Sequence, residues 1–474
     1  MAFKDNRDFI TVLAKSEDVV KIIEEVDWDI EVGAIVRRSN ELRAPAPFFE
    51  TIKGYSKDFR IFGAPLATYR RLAIAMGLTA ETSIKDILME YERRIQHPIK
   101  PIEVQDAPCK ENIIVGDDID LYKFPCPMIH DGDGGRYIGT WHVGVCKDFD
   151  SDWVNWGMYR QMVLNKRYLA SFCHSFSDQG RIFFNKYEPN RLNMPAAIVI
   201  GADPISSLVA GASFKIGESE ADYAGALRED PVELVKCETS ELLVPAHAEI
   251  ILEGEILAGA RVEEGPFGEY PGYRSPRGIQ LLFRVNAITH RNNPILTVSC
   301  MGIPVDDAAL TRSIDTSVQI RRALKQQGIP FTDVFSPAET TQHLAVISIR
   351  KKYNYTISQI HDVLSLNGRV PAAIIVDDDV DVFNMSEVIH AFATKCHPNR
   401  GISIRKSARV GPLRPYLSIE EIRTTTGPNI LFDCTWPLEW SKETRVPPRM
   451  SFDEAYPENM RKKVLQNWSR YGYK

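Results

Sequence analysis

The sequence has no CxxC pair and no run of 18 apolar residues. Its eight cysteines (109, 126, 146, 173, 237, 300, 396 and 434) are scattered. That spacing suits neither a disulfide frame nor a zinc site, so reduced thiols are expected. Nothing reads as a membrane span. The polar start MAFKDNRDFI shows no signal-type apolar stretch, and a cytoplasmic location is expected. No block of five like charges occurs, and the net charge is −6, which argues against a nucleic-acid binder. GxxxxGK[ST], GxSxG, HExxH and a post-strand GxGxxG are all absent. Nucleotide hydrolase, serine hydrolase and metalloprotease readings therefore lose their usual support.

What is present is an ordinary globular composition over 474 residues, 44% hydrophobic and 25% charged, enough for two or three domains. DNRDFITVLAKSEDVVKII carries apolar residues at helical spacing, with Asp5 or Asn6 as cap, and SIKDILMEYERRIQ (83–96) predicts a second amphipathic helix. The proline-rich HPIKPIEVQDAP reads as a linker, giving an N-terminal α/β domain over 1–112. From 113 to 318, short β-rich runs punctuated by Gly, Pro and Asn predict a largely antiparallel sheet or split barrel. From 319 to 474, helical and apolar strand segments alternate, as in an α/β domain. There AAIIVDDD reads as a buried strand whose acids face a ligand, cap a helix or face solvent. DGDGG (131–135) could approach a phosphate or be a plain turn.

In EEGPFGEYPGY, Glu264 and Glu269 flank a Gly265-Pro266-Phe267-Gly268 turn. Paired carboxylates do chemistry when one is held ionised by a cation and the other can carry a proton. Such turns are also common on surfaces. Arg160, in NWGMYR, is a candidate cation, because a buried arginine needs an anionic partner. In GESEADYAGAL, Ser219 could cap a helix that starts at Glu220.

Together these pieces resemble the UbiD-type decarboxylases, and most of all the ferulic acid decarboxylase branch. The matching segments are NWGMYR, IGADP, ADYAGAL, ELVKCETSELLVPAHAEIILEG, EEGPFGEYPGY, DDDVDVF and YPENMRKKVLQNW. The resemblance implies a UbiD-like fold, in which N- and C-terminal α/β domains flank a central split β-barrel that holds prenylated FMN. It implies reversible, non-oxidative loss of CO2 from aromatic, heteroaromatic or α,β-unsaturated acids. It also implies a flavin prenyltransferase as cofactor supplier and a homodimer or homohexamer built partly by the C-terminal segment. Decarboxylation at an sp2 carbon needs an electron sink that no side chain provides, and the modified flavin is one.

By the same resemblance Glu269 is the proton donor, with Glu264 and Arg160 completing a Glu-Arg-Glu network. Asn155, Asp178 and Glu220 match the ligands of a divalent ion, Mn2+ or Mg2+, with K+ nearby. An all-oxygen set suits such an ion. His174 is the alternative middle ligand if the local register shifts. Thr140, Met158 and Tyr159 match flavin-lining positions. Asn429 stands where the family carries a lysine that reaches the cofactor phosphate, and Lys215 is the candidate to replace it. His174, Ser177, Tyr270 and Arg274 fall on the substrate side, a polar set that favours a hydroxylated or heteroaromatic acid. A catalytically altered flavin-binding module of the same fold is the alternative. A glycosidase-like carboxylate pair lacks other sugar-site signs.

Overall fold

The computed structural model describes residues 3–353, 356–440, 443 and 445–473. Its centre is an antiparallel sheet curved into a half-barrel. In order across the sheet, the strands are Tyr137–Gly139, Gln161–Val163, Tyr168–Ser171, Gly278–His290, Ile250–Glu264, Met194–Ile200, His142–Lys147 and Val154–Gly157. A further strand, Asn112–Val115, extends the Gly278–His290 edge. The two longest strands form a hairpin that runs from Ile250 opposite His290 to Glu264 opposite Gly278. Their alternating pattern buries Leu252, Ile256, Leu281, Phe283 and Val285. A register shift after Glu253 brings Gly254 against the Arg284 carbonyl oxygen, where a Cβ would sit 2.0 Å away. Only glycine fits there.

The predicted N-terminal helix is present but shorter. It spans Asn6–Lys15, with Asp5 as cap accepting from the Asp8 N–H. The β-branched pair after it starts a strand instead, Val19–Ile22. The second predicted helix spans Ile84–Arg94 and is capped by Ser83. Val19–Ile22 pairs parallel with Ala46–Phe49, which pairs antiparallel with Arg60–Gly63. That sheet takes its fourth strand, Ile295–Val298, from far along the chain. The helix Asp307–Gln326 then runs unbroken through position 318. A strand from beyond residue 112 thus completes the sheet of the first segment, and the helix spans position 318.

The C-terminal sheet has the order Asp333–Phe335, Leu344–Ile349, Ala372–Asp377, Thr426–Cys434, Ile402–Arg409, with its three central strands parallel. The acids Asp377–Asp379, at the end of the strand Ala372–Asp377, are taken up by neighbouring basic groups and a backbone amide. Lys395 and the Trp436 N–H bind Asp377, Arg350 binds Asp378, and Lys395 and Arg449 flank Asp379. No helix of the described residues is long and apolar enough to cross a membrane.

Glu249 ties the N-terminal helix to the barrel. It is fully buried, takes two 2.8 Å bonds from Arg7 and accepts the Ile295 N–H. Glu249→Gln removes the charge and leaves Arg7 unpaired. It is expected to lower unfolding stability by roughly 3 kcal/mol, read from urea denaturation midpoints.

Candidate active site

The long hairpin delivers Glu264 as the last residue of its first strand, and the chain then turns through Gly265, whose φ is +81°. Phe267–Gly268 pairs with Arg274–Ser275, and the Glu269 N–H donates to the Tyr273 carbonyl at 3.0 Å, so Glu269 sits at a closed tip. DGDGG is the brace of this turn and not an anion site. Asp133 accepts from the Gly268 N–H at 3.1 Å and from the His130 backbone and ring, and the Gly134 N–H donates to the Pro266 carbonyl at 2.7 Å. A Cβ on Gly134 would lie 2.1 Å from the Gly265 oxygen.

Arg160 follows the strand Val154–Gly157 and points at the turn. Its Nε and Nη2 donate to the two Glu264 oxygens at 2.8 and 2.7 Å, and its Nη1 donates to Glu269. The Tyr137 hydroxyl adds a 2.6 Å bond to Glu264. Arg160 also lies 3.9 Å from the Phe172 ring centroid and 5.0 Å from that of Phe267. All three charged residues are buried.

A cavity of about 760 Å3 opens beside this trio, within the size range of small-molecule sites. Its wall includes Arg160 and Glu269, while Glu264 stays behind Arg160. Thr140, Asn155, Met158, Tyr159, His174, Ser177, Asp178, Lys215, Glu220 and Tyr270 also line it. Arg274 does not: it is exposed on the outer side of the turn and donates to the Asp131 carbonyl. The tight Phe267–Ser275 pairing sends its side chain away from the cavity. Asn429 is absent from the wall too. It is buried in the C-terminal sheet, bonded to His361 at 2.9 Å and Ser365 at 2.8 Å.

Asn155 is buried and donates to the Tyr159 hydroxyl at 3.3 Å, and that hydroxyl accepts the Gln179 N–H at 3.2 Å. Glu220 opens the helix Glu220–Arg228, and Ser219 occupies the cap position without a side-chain cap bond. One Glu220 oxygen takes the Trp156 N–H at 2.8 Å, and burial pushes its pKa up to about 8. Asp178 starts a short helix, pairs with Arg181 at 3.0 Å, and is also raised by burial. Both carboxylates line the cavity, and the negative charge of Asp178 adds to the rise at Glu220. His174 stacks on Phe176 at 4.7 Å, and burial and then Arg160 push its pKa down to about 4. Among the described residues no cluster of three His, Cys, Asp or Glu side chains suits a metal, and the Asn155, Asp178, Glu220 set contains two carboxylates and an amide.

Buried polar atoms without protein partners face this space: Trp156 Nε1, His174 Nε2, Thr311 Oγ1, Arg312 Nε and Arg414 Nη1. Such atoms ask for a polar occupant. The C-terminal residues on the wall, Arg312, His343, Arg369, Arg409 and Arg414, were not foreseen from sequence. The one signal was RVGPLR, a Gly-Pro corner between two arginines, which mirrors the glutamate turn in opposite charge.

Comparison with known proteins agrees with this architecture. The chain matches the family models of 3-octaprenyl-4-hydroxybenzoate carboxy-lyase: the N-terminal domain at 10–90, the Rift-related domain at 100–304 and the C-terminal domain at 310–434. It is 33% identical to the pyrrole-2-carboxylic acid decarboxylase of Pseudomonas aeruginosa, over 99% of this chain and 98% of that one. The chain belongs to the UbiD family. It is a carboxy-lyase. Ferulic acid decarboxylase 1 of Saccharomyces cerevisiae is 32% identical over the same shares, consistent with a place near that branch of UbiD enzymes. Vanillic acid decarboxylase of Sedimentibacter hydroxybenzoicus in closed form superposes with a TM-score of 0.88 at 29% identity, over 99% of both chains. An evolved dimeric form of the UbiD-class enzyme HmfF from Pelotomaculum thermopropionicum, in complex with prFMN, gives 0.80 at 28% identity, over 94% and 97%.

Gly134→Ala drives a methyl group into the Gly265 carbonyl. It is expected to cost at least about 2 kcal/mol and to lower turnover by displacing Glu269. Denaturation midpoints and steady-state rates check both.

Proposed function

We propose that this UbiD enzyme removes CO2 from an aromatic, heteroaromatic or α,β-unsaturated carboxylic acid with prenylated FMN bound in the 760 Å3 cavity. The observation that carries the reading is the Glu264–Arg160–Glu269 trio, in which only Glu269 and Arg160 reach the cavity. The HmfF neighbour holds prFMN, and relatives act on pyrrole-2-carboxylic, ferulic and vanillic acids. The intact trio counts against a module that has lost catalysis.

When bound, the flavin supplies the electron sink for the pair left by departing CO2. The chain does the rest. Glu264 is committed to Arg160 and Tyr137 through three donors and serves as the fixed anion. Arg160, anchored on it, orients Glu269 through a single bond. Glu269 is then the group placed to hand a proton to carbon. Thr140, Met158, Tyr159 and Arg160, all on the cavity wall, would hold the flavin, and Asn155, Glu220 and Lys215 would take its phosphate. The donor set of Asn155, Asp178 and Glu220 on the cavity wall fits Mn2+ or Mg2+, because two carboxylates and an amide offer oxygen ligands. Asp178 fits better than His174 as the middle ligand, since His174 lies within the influence of Arg160. An oligomer, as in the dimeric HmfF form, is part of this reading.

Glu269→Gln is expected to abolish CO2 release from the holoenzyme while the purified protein keeps its flavin spectrum. Full activity in that variant removes Glu269 from the mechanism. Asp178→Ala is expected to cut bound Mn2+ at least tenfold by elemental analysis, with a parallel loss of flavin. Unchanged metal content excludes Asp178 as a ligand.

A further inference from the structure

The C-terminal wall of the cavity carries more positive charge than the proposed reaction uses. Arg312, Arg409 and Arg414 line the cavity and form no ion pair with any carboxylate among the described residues. Arg369 differs, being paired with Asp315 at 2.8 Å. Arg414 is 5% exposed, and its Nη2 donates to the Gly368 and Arg369 carbonyls at 2.8 and 3.1 Å. Its Nη1 is buried with no partner, as is Nε of Arg312. A guanidinium held this way has lost water without gaining an anion, which is costly unless a ligand completes it.

These groups gather at the acid end of the cavity. The Arg312 guanidinium lies 3.9 Å from the centroid of Tyr270, the residue after Glu269. Burial lowers the Arg414 pKa, and Tyr416 and Tyr270 are the neighbours that oppose it. His343 stands with them: burial and then Arg414 hold its pKa low, with Arg312 adding to the effect. Thr341 Oγ1, 2.8 Å from His343 Nδ1, fixes the ring.

The reacting carboxylate is a poor occupant for such a cluster. It loses its charge as CO2 departs, so arginines that grip it stabilise the ground state more than the transition state and slow the reaction. A carboxylate that stays on the substrate throughout has no such penalty. Its binding energy can hold the ring and the scissile group in place.

We propose that Arg312, Arg414 and His343 form a second anion subsite, and that the physiological acid is a dianion carrying a further carboxylate or equivalent group that does not react. This deepens the decarboxylase reading and rests on it. The other source of the same chemistry is the cofactor phosphate, which the test separates.

The holoenzyme is assayed for CO2 release from matched acids: benzoic against phthalic, isophthalic and terephthalic acids, and cinnamic against 4-carboxycinnamic acid. Binding of the same acids to FMN-loaded protein is measured by calorimetry, which reads the subsite even if no acid turns over. At least one diacid is expected to bind roughly tenfold or more tightly than its monoacid, mainly through KM where it reacts. Arg414→Gln and, independently, Arg312→Gln should erase that preference, with FMN affinity held within about threefold. Equal binding of mono- and diacids by the wild-type protein overturns the proposal. So does a loss of FMN affinity in both variants with no change in diacid preference, which assigns the arginines to the phosphate. Diacid binding without CO2 release from any acid would uphold the subsite and fail the decarboxylase reading instead.

Discussion

One guanidinium serving two carboxylates out of water is the constraint on which the site depends. Burying three charged groups is expensive, and the cost is tolerable only with near-complete hydrogen bonding. Arg160 meets that condition with bonds to both Glu264 oxygens and to Glu269, Tyr137 adds another donor, and aromatic rings cover its face. The two acids are thereby made unequal. Glu264 is enclosed and saturated, whereas Glu269 keeps a side toward the cavity.

That inequality comes from backbone geometry. A fifteen-residue strand ends on Glu264, and a braced turn carries the chain to Glu269 five residues on. Asp133 and Gly134 hold the turn from one side, and the pairing of Phe267 with Ser275 holds it from the other. The acid thus rests on a rigid hairpin, while the wall beside it, with Arg312 and Arg414, comes from the helix after residue 306 and the C-terminal unit. The acid turn and the arginine-rich part of the wall are built by different parts of the chain.

Much of this was legible in the sequence. Alternating apolar runs indicated the antiparallel centre, Asp5 and Ser83 marked helix starts, and the EEGPFGE turn with NWGMYR identified the charged trio. The failures have local causes. The helix pattern after Lys15 stopped because Val19 and Val20 favour a strand. Arg274 lay only five residues from Glu269 in sequence, yet the two-residue hairpin turned it outward. Asn429 and the Asp377–Asp379 run, whose roles the sequence left open, pair with neighbours that are distant in sequence: His361, Lys395 and Arg449. The arginine wall was invisible because its members come from three separate segments, and no short motif joins them.

The pairing of Arg60–Gly63 with Ile295–Val298 has a consequence for how the chain is made. During synthesis the first hundred residues emerge with one sheet edge open, and the strand that closes it is translated more than two hundred residues after Gly63. At ~5–20 residues per second, the nascent chain carries an unclosed β edge for tens of seconds. Such an edge invites pairing with other chains, so protection on the ribosome would matter more to this protein than to one whose leading domain finishes itself.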